Sequence, residues 1–570
     1  MSLHAFFDNF PLLADAPNGV AKLRELILQL AIRGQLDTQN NDDEPAMDLA
    51  RKIQLHKARL IKNKQIRDSK PLPATQSSEI LFEIPHSWQW IRLGEIGDWG
   101  AGATPDRKNP KYYGGNLRWF KSGELNDGYI HESEETITEL ALKECSLRLN
   151  QPGDVFIAMY GATIGKLAIL ETEATTNQAV CACTCFKGFY NQFLFVLLRA
   201  YKSHFTGRGA GGAQPNISRE KIIHTIAPLP PLEEQKRIVA KVNELMRLCD
   251  ELEARQHARS ESRVRLNNAK LAPLNNAASL ALAEFDHASV RLADNFATLY
   301  DSAETVGNLR STILQLAVQG KLVPQDPHHE PASALLDRFS AEIKELAGEN
   351  GLLQALESLE PSLLMPSGWK SLRLGDLVKF IGGSQPPKSK FIYESREGFT
   401  RLVQIRDFKS DTFKTYVPNE YANRSFSKDD VMIGRYGPPV FQILRGLKGT
   451  YNVALMKASP IEKVLSKDYL YYLLQEPKLQ NLVIAESERT AGQSGVRKEL
   501  LHNYIVGLPP LEEQKRIVAR VNQLMALCDE LEAKLRQAEA DGEKLMNAAV
   551  QHVLASISET STSVSAGASV

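Results

Sequence analysis

The sequence predicts an α+β chain in which two mixed α/β modules are separated by long, antiparallel, coiled-coil-like helices related by a pseudo-twofold axis. Three observations predict it. Helical segments recur as a tandem repeat, two divergent segments are held between the repeated ones, and each repeat carries an apolar seam at helical spacing.

The repeat is the strongest signal. LPPLEEQKRIVAKVNELMRLCDELEA at 229–254 recurs as LPPLEEQKRIVARVNQLMALCDELEA at 508–533, with three differences in 26 positions. LRELILQLAIRGQL at 23–36 recurs as LRSTILQLAVQGKL at 309–322, and an Glu-Pro-Ala turn follows each (Glu44, Pro45, Ala46; Glu330, Pro331, Ala332). The chain is a direct duplication of a unit about 280 residues long.

Each repeated helix is legible from its residues. Pro231 and Pro510 sit where a first helical turn tolerates proline, and the acidic pair that follows suits the positive end of the helix dipole. Ile238, Val242, Leu245, Cys249 and Leu252 form a seam at alternating spacings of four and three, matched by Ile517, Val521, Leu524, Cys528 and Leu531. Two copies of one stripe suggest copy packed against copy, hence the pseudo-twofold axis; the alternative is packing onto a separate partner helix.

The divergent segments share only an outline. Both open on Trp and Arg-Leu-Gly (Trp88, Arg92 to Gly94; Trp369, Arg373 to Gly375) and continue through Asp-Val to Tyr-Gly (Asp154, Val155, Tyr160, Gly161; Asp430, Val431, Tyr436, Gly437). Each ends with a Gln in a Gly-rich loop (Gln214; Gln493). Short apolar runs broken by Gly, Pro and Asn read as mixed α and β. The expected divisions are a helical segment at 1–84, a module at 85–227, a spacer helix at 228–285, a second helical segment at 286–365, a second module at 366–506, a spacer helix at 507–555 and a disordered tail at 556–570.

Bulk composition is that of an ordinary globular protein, with 43% hydrophobic and 24% charged residues. The sequence has no apolar run of membrane-spanning length, no secretory signal at its start and only six Cys, which points to the cytoplasm. Net charge is zero but unevenly placed: Lys and Arg outnumber Asp and Glu by 22 to 14 in 366–506, against 15 to 14 in 85–227 and 31 to 40 elsewhere.

Both modules carry a Gly- and Pro-rich loop set with cations and amides. Cations neutralise phosphates, whereas Arg, Asn and Gln offer paired hydrogen bonds to base edges. In the first module the candidates are Thr104, Arg107, Lys108, Asn109, Lys111, Lys121, Arg208 and Gln214. In the second they are Gln385, Lys388, Lys390, Arg401, Gln404, Arg406, Arg435, Tyr436, Arg445, Lys448 and Gln493.

Enzyme signatures fail when tested. Gly161 to Lys166 lacks both the glycine spacing and the following Ser or Thr of a phosphate-binding loop, since Leu167 follows. Asn109, Pro110, Lys111, Tyr112 has Lys where an amino-methyltransferase needs Pro. Cys181, Cys183 and Cys185 alternate without a second ligand pair, and His86, His204, His224 and His502 lack partners at nucleophile spacing, so buried thiols and no metal are expected.

Together, the duplicated Leu-Pro-Pro-Leu-Glu-Glu-Gln helix, the Ile-Leu-Gln-Leu-Ala segment with its Glu-Pro-Ala turn and the Trp-to-Leu-Gly openings resemble type I restriction-modification specificity subunits. That resemblance spans nearly the whole chain. It implies that 85–227 and 366–506 are target recognition domains, each reading half of a split, asymmetric DNA sequence, and that the helices from Pro231 and Pro510 set the spacer. It further implies two docked methyltransferase subunits binding S-adenosylmethionine, and restriction subunits using ATP and Mg, with no cofactor or catalytic site on this chain. The family's Gly-Thr-Pro loop is matched by Ala103, Thr104 and Pro105, while the second module departs with Ser384, Gln385 and Pro386.

Overall fold

The computed structural model describes residues 16–36, 38–68, 70–207, 216–276, 282–347, 365–437, 439–488 and 495–565. The chain forms two compact units, residues 1–258 with 539–570, and residues 259–538. Each contains one module. The chain passes from one unit to the other within two long helices, Leu232–Asn275 and Leu511–Ser565.

In the first unit the module is closed at its ends by strand Gln89–Arg92 pairing antiparallel with Ile226–Leu229. Between them lies a five-stranded sheet in the order Gly97–Ala101, Val180–Cys185, Val155–Ala158, Leu167–Leu170, Gly128–Ile130. A three-stranded sheet follows the order Glu135–Ile137, Tyr113–Phe120, Ala174–Thr176. The second module repeats the plan, with Lys370–Arg373 against Ile505–Leu508 and two four-stranded sheets.

The apolar runs that mark the central strands have a physical cause. Val155 and Ile157 face one cluster, while Phe156 and Ala158 face another, so both sides of the strand are buried and polar alternation disappears. Val431 and Ile433 are likewise separated from Met432. Cys181 and Cys183 belong to the first of these clusters as buried thiols, and burial pushes Cys181 up to about 12. Among the described residues no group of His, Cys, Asp and Glu is placed to hold a metal, and no helix is long and apolar enough to cross a membrane.

Seam packing differs from copy against copy. Ile238, Val242 and Cys249 are buried in the first unit's core with Leu23, Leu26, Ile27 and Leu30 of helix Gly19–Ile32, and Leu245 and Leu252 pack partly against it. Leu23 and Ile27 line one groove with Leu245, Cys249 and Leu252. In the second unit Ile517, Val521 and Cys528 share a core with Val306, Ile313 and Leu314 of helix Ala303–Val318, flanked by Leu524 and Leu531. Arg24 fixes this arrangement by pairing with Asp250 (2.6 Å) and Glu253 (2.8 Å), and Arg310 does the same with Asp529 (2.6 Å) and Glu532 (3.2 Å). The partner of each stripe is the first repeated helix of its own half, which carries an apolar face of matching period.

Of the tail expected at 556–570, residues 556–565 continue the last helix and residues 566–570 lie outside the described residues. Met546, Ala549, Val550 and Val553 of that helix are buried in the first unit's core.

The Glu-Glu-Gln motif now has a mechanical reading. Glu233 and Glu512 are solvent-facing partners of Lys236 (2.7 Å) and Lys515 (2.6 Å). Glu234 is fully buried and accepts from Trp88 Nε1 (2.8 Å), Gln39 Nε2 (3.1 Å) and Thr38 Oγ1 (3.2 Å). Glu513 accepts from Trp369 Nε1 (3.0 Å) and Gln325 Nε2 (2.9 Å). The adjacent Gln235 accepts from the Tyr190 amide (2.8 Å) and donates to the Pro230 carbonyl (3.0 Å); Gln514 does the same with Ser466 (2.9 Å) and Pro509 (3.1 Å). Thus one helical turn clips the module's entry Trp, the repeated Gln after the first helix and a turn inside the module.

Glu234→Ala is expected to cost about 1–3 kcal/mol for the orphaned indole donor alone. Glu233→Ala, which loses only an exposed ion pair and a helix-dipole interaction, should cost less, about 0.3–1 kcal/mol. Chemical denaturation of the two variants side by side checks this, and equal effects would refute the clip.

Candidate nucleic-acid interface

Five segments meet at one end of the sheets in each module, held by the same backbone bonds. In the first module Gly102 N donates to Val180 O (3.1 Å) and Ala103 N to Thr176 O (3.0 Å). Asn177 N donates to Phe120 O (2.9 Å), Met159 N to Ala179 O (2.8 Å) and Ile217 N to Met159 O (2.8 Å). In the second, Gly383 N donates to Leu455 O (3.1 Å) and Ser384 N to Tyr451 O (3.1 Å). Asn452 N donates to Val403 O (3.2 Å), Arg435 N to Ala454 O (2.8 Å) and Val496 N to Arg435 O (3.1 Å). The same five bonds recur at corresponding positions of the two modules.

Close approach explains the glycines. A Cβ on Gly102 would lie 2.0 Å from the Thr176 carbonyl oxygen, and one on Gly383 2.0 Å from that of Asn452. The Tyr-Gly turns fall beside the exits of the Gly-rich loops: Tyr160 bridges Asn216, and Tyr436 lies against Gly495. Arg208, Gln214 and Gln493 lie outside the described residues.

On these equal frames the side chains differ. Thr104 donates its hydroxyl to Gln178 Oε1, whereas Gln385 and Val453 at the corresponding positions are both exposed. Lys121 and Gln404 occupy matched positions, their amides accepted by Glu124 (2.6 Å) and Asp407 (2.9 Å). Met159 is buried where the second module has Arg435, whose guanidinium lies 5.2 Å from the Tyr436 ring centre.

The cations divide into bound and free. Arg107 spends its fork on Glu135 (2.5 and 3.3 Å) and stacks over Tyr113 (4.8 Å) and Trp119 (5.0 Å). Lys121 pairs with Glu134 (2.7 Å) and Glu135 (3.1 Å); the Arg107 guanidinium, and then Lys121, hold the Glu135 carboxyl below its ordinary range. Arg401 pairs with Asp411 (2.8 Å), and Arg445 with Asp468 (2.9 Å) while stacking on Tyr471 (4.0 Å). Arg406 sits 3.8 Å from the Asp407 carboxylate and 5.9 Å from the Phe413 ring centre. Asn109 is committed locally, accepting the Lys111 amide (3.2 Å). Lys108, Lys111, Lys388 and Lys448 are exposed and have no carboxylate within ion-pair reach among the described residues; Lys390 is 5.8 Å from the Tyr421 ring centre. Arg435 also lacks a carboxylate there, and its best acceptor is the Val453 carbonyl at 3.5 Å.

Sequence reasoning missed Gln178 and Val453, and the carboxylates that occupy Arg107, Arg401 and Arg445. The first two had a signal, since Asn177-Gln178-Ala179 and Asn452-Val453-Ala454 share an Asn-x-Ala pattern before an apolar strand. The ion pairs, across 28, 10 and 23 residues, had none.

One backbone frame built twice and furnished differently defines a two-module recognition scaffold. The model of the type I restriction modification DNA specificity domain matches residues 85–260 and 366–539, more than half of the chain, and the chain belongs to that family. It is 26% identical over 560 residues to the Type I restriction enzyme EcoEI specificity subunit of Escherichia coli, covering 91% of each. It is 28% identical over 564 residues to the EcoAI specificity subunit of the same organism, again with 91% of each covered. Among solved structures, the HsdS subunit from Thermoanaerobacter tengcongensis aligns over 84% of this chain and 98% of its own, at 21% identity and a TM-score of 0.39.

Gly383→Ala is expected to displace the loop carrying Gln385, lowering the thermal midpoint and opening the loop to protease. Gly382→Ala, where a Cβ meets open space, should behave as the parent. Limited proteolysis and thermal denaturation of the pair test it; matched behaviour of the two would show that close approach is not the constraint.

Proposed function

We propose that this chain is the DNA-specificity subunit of a type I restriction-modification complex, in which each module reads one half of a split, asymmetric target. The observation that carries this is the matched backbone frame with unmatched side chains. Reading two different half-sites demands different side chains, and docking both on one duplex favours a common frame. The 22-to-14 cation excess of the second module and the free Lys108, Lys111, Lys388 and Lys448 supply phosphate neutralisation. On this reading catalysis belongs to two methyltransferase subunits and to restriction subunits, with S-adenosylmethionine, ATP and Mg bound there and not here. The long helices act as the spacer and as the methyltransferase docking elements.

Selection of bound duplexes from a randomised pool, using the full chain in its complex, is expected to return two short motifs separated by an unread gap. A continuous motif, or none, would overturn the reading. Arg435→Ala should relax one position of the half-site read by the second module at a cost of ~1–3 kcal/mol. Lys388→Ala and Lys448→Ala should instead weaken binding to every sequence and lower the salt slope by about one each. Equal effects of all three at every position would contradict these assignments.

Four residues inserted near Ala258 extend the helix Leu232–Asn275 by about 6 Å, close to two base-pair steps. The selected gap should lengthen while both motifs stay the same. Changed motifs with an unchanged gap would rule out the spacer role.

A further inference from the structure

We propose that Gln178 is a specificity-determining residue of the first module, aimed by Thr104, and that Gln385 and Val453 form the corresponding pair in the second. This rests on the DNA-reading function argued above. Gln178 stands at the tip of a three-residue turn between the buried strands Ala174–Thr176 and Val180–Cys185. Both its neighbours are locked. Asn177 donates its amide to Phe120 and accepts the Ala179 amide on Oδ1 (3.1 Å), while the Ala179 carbonyl accepts the Met159 amide. The exposed side chain between them therefore projects from a rigid edge rather than a loose loop, which is what accurate hydrogen-bond readout requires.

The Thr104 hydroxyl occupies Oε1 and so tethers the exposed amide, whose Nε2 carries two N–H donors with no protein acceptor among the described residues. Such a donor pair suits the acceptors of a base edge in the major groove: purine N7, guanine O6 or thymine O4. In the second module the amide has moved. The position of Gln178 holds Val453, 41% exposed, and the position of Thr104 holds Gln385, also exposed. An apolar group there suits contact with a thymine methyl, and the neighbouring amide takes over the polar readout. Each module thus carries one amide across this pair of positions, on opposite segments of the frame.

The experiment is duplex selection with the full chain in its complex, comparing the parent with Gln178→Ala, Gln178→Glu and Val453→Gln, each first shown to keep the parental melting profile. Gln178→Ala should reduce discrimination at one position of one half-site by about ten- to a hundredfold. Gln178→Glu retains the acceptor for Thr104 but loses the Nε2 donors, so it should change the preferred base at that same position. Val453→Gln should alter a single position in the other half-site only. A Gln178→Glu profile equal to the parent's, or a uniform loss across both half-sites in Gln178→Ala, would reduce Gln178 to a tether for the Thr104 loop and overturn the proposal. Absence of a split motif in the parent would instead reject the function on which it rests.

Discussion

A buried carboxylate at the start of each long helix is the interaction on which the rest of the structure depends. Removing a charged group from water is expensive unless every lone pair finds a donor. Glu234 meets that demand with an indole, an amide and a hydroxyl drawn from two different segments, and Glu513 with an indole and an amide. Burial raises the proton affinity of both groups, the donors oppose that rise, and the balance makes the site intolerant of a missing partner. Its geometric consequence is that the orientation of a module is set by the helix beneath it. Because Gln235 and Gln514 continue the clip into the module itself, the module and the helix share one core rather than meeting across a linker.

A fixed base permits a variable edge. The matched backbone bonds cost the sequence little freedom, since amides and carbonyls make them whatever the side chains are, while the close approaches at Gly102 and Gly383 do restrict identity. Thr104, Gln178 and Met159 can then be exchanged for Gln385, Val453 and Arg435 without altering the frame. Chemistry at the edge is also edited by acids. Glu135, Asp411 and Asp468 absorb arginines that a count of cations would credit to DNA, and leave Lys108, Lys111, Lys388, Lys390, Lys448 and Arg435 without a carboxylate among the described candidates. An Arg whose fork is filled by a carboxylate braces its loop; one without that partner is available to a ligand.

Much of this was legible in the residues. The duplication, the two-module plan, the mixed α and β character of the modules and the core role of Cys249 and Cys528 all follow from repeat and period, because those patterns are local and physical periodicity reads them directly. The candidate edge was found at Thr104, Gln385, Arg435 and Tyr436, whose segments the backbone bonds gather together. Which of its cations are free was not legible, since a side chain's partner depends on folding contacts that sequence spacing does not encode.

The sequence by itself determined that there are two of everything: two long helices with an apolar seam, two frames, two sets of edge residues. Tertiary structure alone decided what each seam meets. A stripe of Ile, Val, Leu and Cys specifies burial but not its partner, since the hydrophobic effect is non-directional. Arg24 and Arg310, each with two carboxylates on the adjoining helix, supply the direction that the stripe lacks and seat the first repeated helix of each half upon it. The same rule separates the buried Glu234 from the exposed Glu233 next to it: identical side chains, one residue apart, differ because only one of them faces the donors that the folded chain brings.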